Sequence, residues 1–135
     1  MSTSDIDRIR QSWSLAMANP TQTSTLFYSN LFRIDETAKP LFVGDLALQG
    51  RKLMETLGFI VDHLEEPETL LPAAEDLAKA HVSYGVTQDQ YAGVGQALIL
   101  TLQQLLGVNF TPEDEQAWGR VYTSLADHMI SVAYD

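Results

Sequence analysis

Residues 77–86 read Leu-Ala-Lys-Ala-His-Val-Ser-Tyr-Gly-Val, and the fold turns on what His81 is doing there. Leu77 and Ala78 precede it at helical spacing, so the imidazole lies on the apolar face of a helix. Gly85 then supplies the residue type that ends a helix in a left-handed conformation. An imidazole among leucine and alanine costs free energy unless something takes its ring nitrogens. A backbone carbonyl would serve, and so would a metal ion.

Punctuation of the same kind divides the rest of the chain. Asn19-Pro20 sets a cap and a proline at a first helical position, with Gln22 in register for a capping box. Thr87–Gln90 and Thr111–Asp114 repeat that logic, Asp45 can cap a further helix, and Pro67 opens the one that runs to His81. Gly85 and Gly107 fit C-terminal positions. Between these marks the apolar residues recur at helical spacing. Ile6, Ile9, Trp13 and Met17 form one stripe; Leu53, Leu57, Ile60 and Leu64 a second; Leu70, Ala74, Leu77 and Ala78 a third. Val94, Leu98, Leu102 and Leu105 form a fourth, and Trp118, Val121, Tyr122, Leu125, Met129 and Val132 a fifth. Residues 97–107, ALILTLQQLLG, could pass for a buried strand, but their length and capping favour helix. The expectation is an all-α fold with about six main helices and an irregular segment around Phe42–Asp45. One domain over 1–135 follows from the length.

Composition narrows the function. A formal charge of −10, with eight basic residues scattered along the chain, argues against nucleic acid. With no cysteine there can be no disulfide, zinc–thiolate site, iron–sulfur cluster or C-x-x-C-H attachment. The opening MSTSDIDRIRQSW lacks the apolar stretch of a signal peptide. No run approaches the ~18 apolar residues that span a bilayer. A cytoplasmic protein without a membrane partner is expected.

Three polar residues interrupt the apolar pattern. His81 is one. Gln49 precedes Leu53 and Leu57 at four-residue steps, and Tyr28 shares a face with Leu31 and Phe32. Each has an ordinary structural alternative: a core histidine bonded to backbone, a glutamine on the solvent rim, a tyrosine packed with its hydroxyl led to water. His63 lies ~21 Å along the helix from Gln49 and cannot share its ligand. His128 follows Val121 and Leu125 at helical spacing, and periodicity does not rank it below His81.

Six strings together resemble the bacterial single-domain globins and the haem domains of flavohaemoglobins, in the right order over nearly the whole chain. LFYSNLF (26–32) resembles the second helix, KPLF (39–42) the following corner, and LQGRKLM (48–54) the distal helix. AKAHVSYGV (78–86) and QYAGVGQAL (90–98) are similar to the proximal helix and its successor, and AWGRVY (117–122) to the last helix. The resemblance implies a globin fold around a non-covalent haem b, with His81 as the proximal iron ligand. Tyr28 and Gln49 would donate hydrogen bonds to the bound gas, each worth about 1 kcal/mol. Phe42 would pack on the porphyrin, with Phe32, Leu53, Leu77, Val86 and Val94 as further wall. Tyr91 would stand near the proximal histidine, and Lys52, more than Arg51, would meet a propionate. The implied function is reversible binding of O2, with CO and NO as further ligands, for storage, delivery or scavenging. Nitric oxide dioxygenase activity with an external reductase, or gas sensing, are the alternatives. The expected assembly is a monomer or weak homodimer.

Two residues depart from that family's pattern. Ala133 stands where flavohaemoglobin-like relatives carry a glutamate that buttresses the histidine, which disfavours peroxidase-like chemistry. Gly50 stands where several relatives carry proline. With Asp135 as the last residue, an outside electron donor is expected for any turnover.

Overall fold

The caps legible in the sequence open the helices. In the computed structural model, residues 2–134 are described, and they form six α-helices: α1 (Thr3–Ala16), α2 (Pro20–Ile34), α3 (Leu46–Asp62), α4 (Pro67–Ser83), α5 (Gln90–Leu106) and α6 (Pro112–Ala133). Two 3-10 helices, Glu36–Leu41 and Gly107–Asn109, complete the element order. Asn19 accepts the Gln22 N–H at the start of α2, and Asp45 accepts the N–H groups of Ala47 and Leu48 at the start of α3. Thr111 and Asp114 form a full capping box on α6. The box at Thr87 is half made: the Gln90 side chain takes the Thr87 N–H.

α5 lies at the centre, against α1, α2 and α6. The stretch Gln90–Asn109 is long and apolar enough to cross a membrane, which corrects the expectation that no run has that character. Here its apolar content serves the core: Ala97, Leu98, Thr101 and Leu102 are buried, and Thr101 accepts a hydrogen bond from Asn30 of α2. The residue expected at the end of the α6 stripe, Val132, is exposed instead, while Met129, Ile130 and Ala133 keep that end of α6 on the core.

α3 and α4 decide where a site can form. α3 packs on α2 and α1, and α4 packs on α6, but these two consecutive helices are not a main packed pair. Each carries two apolar edges. On α3, Gly50, Met54 and Val61 are buried, whereas Leu53, Leu57 and Ile60 are only half covered. On α4, Leu70, Ala74 and Ala78 are buried, whereas Leu77 and His81 are half covered. Gly50 marks a close crossing: a Cβ there would lie 2.9 Å from Ser24 Oγ on α2. That contact accounts for glycine at the position where proline was the comparison.

α1 and α6 are bound by charge. Arg120 grips Asp5 through two hydrogen bonds, and Arg8 pairs with Asp114. Arg10 donates to the carbonyls of Val61 and Asp62 and pairs with Glu65, closing the C-terminal end of α3, which has no basic residue of its own.

Candidate functional site

His81 stands at the third-last position of α4, and its backbone is closed by a Schellman motif. The Val86 N–H returns to the His81 carbonyl at 2.9 Å and the Gly85 N–H to the Val82 carbonyl at 3.0 Å. The reversal needs Gly85, whose φ is +90°, a conformation glycine adopts without a Cβ penalty. On the side chain, Nδ1 bonds the Leu77 carbonyl at 2.8 Å, so as the neutral ring it carries its proton there. Nε2 then keeps its lone pair. Burial lowers the pKa below the ordinary imidazole value, partly opposed by the Leu77 bond. The ring is thus held neutral, oriented, and able to bind a metal through Nε2.

Tyr91 lies against it, ring centroids 5.8 Å apart, and its buried hydroxyl has no hydrogen-bond partner among the described residues. Leu77, Val86 and Val94 are half-buried.

A second cluster comes from α2 and the corner after it. Tyr28 is buried, stacks on Phe32 at 6.0 Å and meets the edge of Phe42 at 5.1 Å. Phe32 and Phe42 themselves lie 5.6 Å apart. Burial alone raises the Tyr28 pKa, so its hydroxyl remains a proton donor at neutral pH. Two contacts bring the clusters together. Leu41 reaches to 3.7 Å of the Cβ position of Gly85, and Gln90 donates to Thr37 at 2.9 Å. The corner carrying Phe42 is therefore fastened to the turn that follows His81.

A family model described as Globin matches residues 25–129, most of the chain. The chain belongs to the globin family. This globin is 37% identical over 82 residues to the flavohemoproteins of Bordetella parapertussis and Bordetella bronchiseptica, and 35% identical over the same length to that of Bordetella pertussis. Each match takes in 61% of this chain and 20% of the relative, so the globin corresponds to about a fifth of the length of those proteins.

The remaining polar residues of the globin sort themselves by their partners. Gln49 is half-buried, and its amide donates to the Val43 carbonyl at 2.5 Å, tying the corner to the start of α3. Lys52 and Arg51 are exposed on α3. His63 bonds the Phe59 carbonyl at the end of α3, and His128 pairs with Glu75 across α6 and α4. Both rival histidines thus have structural employment. Among the described residues no three His, Asp or Glu side chains cluster to hold a bare metal ion. Ala133 offers His81 no carboxylate.

Sequence reasoning missed Tyr134. Its hydroxyl donates to the Val86 carbonyl at 2.8 Å and its ring meets Tyr91 edge-on at 5.7 Å. It follows the last helical stripe by position but belongs to none, so periodicity carries no sign of it.

Proposed function

We propose that this globin holds a haem through His81 and binds O2 reversibly. The observation that carries the reading is the state of His81: neutral, with Nδ1 committed to Leu77 and Nε2 uncommitted. The residues around it fit the group. Phe32, Phe42, Leu53, Leu77, Val86 and Val94 are apolar side chains left only partly buried, which suits the flat apolar faces of a porphyrin. When bound, haem supplies an iron site that takes a diatomic gas.

The chain's own residues then do the following. His81 binds iron through Nε2, and the Leu77 carbonyl fixes its tautomer and orientation. The Leu77 carbonyl is a weaker acceptor than a carboxylate, so the imidazole keeps a largely neutral character. That favours gas binding over peroxide activation. Tyr28 donates a hydrogen bond toward the gas from an apolar surround of three phenylalanines, where such a bond is least screened. Gln49 is a second donor only if it releases Val43. Lys52, exposed on α3, reaches a propionate at the rim. Haem b is the form proposed, since the chain has no cysteine for covalent attachment.

The test is a haemin titration. Wild-type protein takes up one haem per chain; His81→Gly loses the specific complex, and added imidazole restores it. Equal uptake by His81→Gly with an unchanged spectrum overturns the assignment. A second reading, turnover of nitric oxide with an external reductase, is favoured by the flavohemoprotein relatives, whose name joins a flavin to a haem. Sustained nitric oxide consumption with a reductase distinguishes it from a single stoichiometric reaction.

A further inference from the structure

We infer that Gln90 is a positioning residue for the haem site: it ties the corner carrying Phe42 to the turn after His81, and that tie slows haem loss. The inference rests on the haem reading above, and adds to it a buried residue of α5.

Gln90 is a polar side chain only 7% exposed, at the first position of α5. Both ends of its amide are used, each by a different segment. Oε1 accepts the Thr87 N–H at 2.9 Å, in the turn after His81. Nε2 donates at 2.9 Å to Oγ1 of Thr37, in the 3-10 helix that leads to Phe42. The Thr37 hydroxyl donates its own proton to Asp35 Oδ1 at 2.5 Å, which leaves a lone pair to accept from Gln90. The amide orientation follows from its partners, because the Thr87 N–H can only donate. A series of three hydrogen bonds thus joins the turn after His81 to the end of α2. Gly93, one turn along α5, permits the approach: a Cβ there would lie 3.2 Å from Asp35 Cβ.

A glutamine that only capped its own helix would need the Thr87 bond alone. The second bond reaches a residue 53 positions away and serves the corner. Little else does so with a fixed direction. The 3-10 helix packs mainly on α2, and α3 and α4 are not a main packed pair. Leu41 meets the Gly85 turn through an apolar contact, which sets a distance but no direction. The Gln49 bond to Val43 fastens the corner to α3 and not to α4. Gln90 is therefore the directional link between the segment carrying Phe42 and the one that follows His81.

The test follows haem from the ferric protein into excess apomyoglobin. Thr37→Val removes the acceptor for Gln90 at an exposed position without opening a cavity. Haem loss should then rise about fivefold, the equivalent of one net hydrogen bond. Thr37→Ser keeps the hydroxyl and should lose haem at the wild-type rate. Gln90→Leu should be at least as fast as Thr37→Val, and adding Thr37→Val to it should change nothing further. Thr111→Ala is the control: it removes a cap on α6, lowers stability and should leave haem loss unchanged. A second readout needs no haem: the Thr87 amide should be protected from hydrogen exchange in the haem-free protein and lose that protection in Gln90→Leu. Wild-type haem loss in Thr37→Val, an equal rise in Thr111→Ala, or an unprotected Thr87 amide overturns the role of Gln90 and leaves haem ligation standing. A wild-type protein that takes up no haem through His81 overturns the haem reading and this inference together.

Discussion

Residue by residue, the site divides into what helical spacing reveals and what partners decide. His81 and Tyr28 were visible because each puts a polar group on an apolar face, and the structure buries Tyr28 and half-buries His81. Gln49 shared that spacing, yet its amide reaches back to Val43, a bond set by the path of the corner and invisible to periodicity. In the proposed reading, Tyr28 therefore carries the larger share of gas retention. Tyr28→Phe should raise the oxygen off-rate about five- to tenfold in stopped-flow measurements, the equivalent of one net hydrogen bond. Gln49→Ala should change it by less. An off-rate in Tyr28→Phe equal to wild type removes the hydroxyl from that role.

At the scale of elements, the helices and their caps were legible from Asn19, Asp45, Pro67 and Thr111, because capping chemistry is local. The two apolar edges of α3 and α4 were not separable in one dimension. A single helical stripe was read on each, whereas one edge enters the core and the other stays half covered. Close helix contacts were equally hidden. Gly95 on α5 lies under the Tyr122 ring, and a Cβ there would fall 2.7 Å from Cε2. The ring cannot move away easily, since its hydroxyl is bonded to the Tyr91 carbonyl. Gly95→Ala should therefore lose about 1–3 kcal/mol to overpacking, against ~1 kcal/mol gained in helix propensity. In a Tyr122→Ala background the same change should become neutral or stabilising. Urea denaturation of the four proteins measures this, and equal effects in both backgrounds would show that the contact is not limiting.

Across the whole molecule, acid should act in two stages on the haem-free protein. The His81 pKa is lowered in the fold, so below the ordinary value of 6.5 the unfolded chain binds a proton that the folded one does not. Stability therefore falls as pH drops through that range, and His81→Gln should flatten this stage. The second stage belongs to carboxylates. Arg120 holds Asp5 below its ordinary 3.8; at Asp114, burial pushes upward but the Thr111 N–H and Arg8 outweigh it. Their contribution is present above 3.8 and is lost as pH falls through the lowered values. Denaturant midpoints from pH 8 to pH 3 resolve the two stages, and a His81→Gln profile parallel to wild type above pH 5 would contradict the first.

The proposed haem reading rests on one bond, between Nε2 of His81 and iron. It is tested most directly by the absorption spectrum of the reduced, haem-loaded protein with and without carbon monoxide. The account predicts a histidine-ligated ferrous spectrum that converts to a single carbon monoxide form and is lost or altered in His81→Gly. An identical pair of spectra from His81→Gly would contradict it.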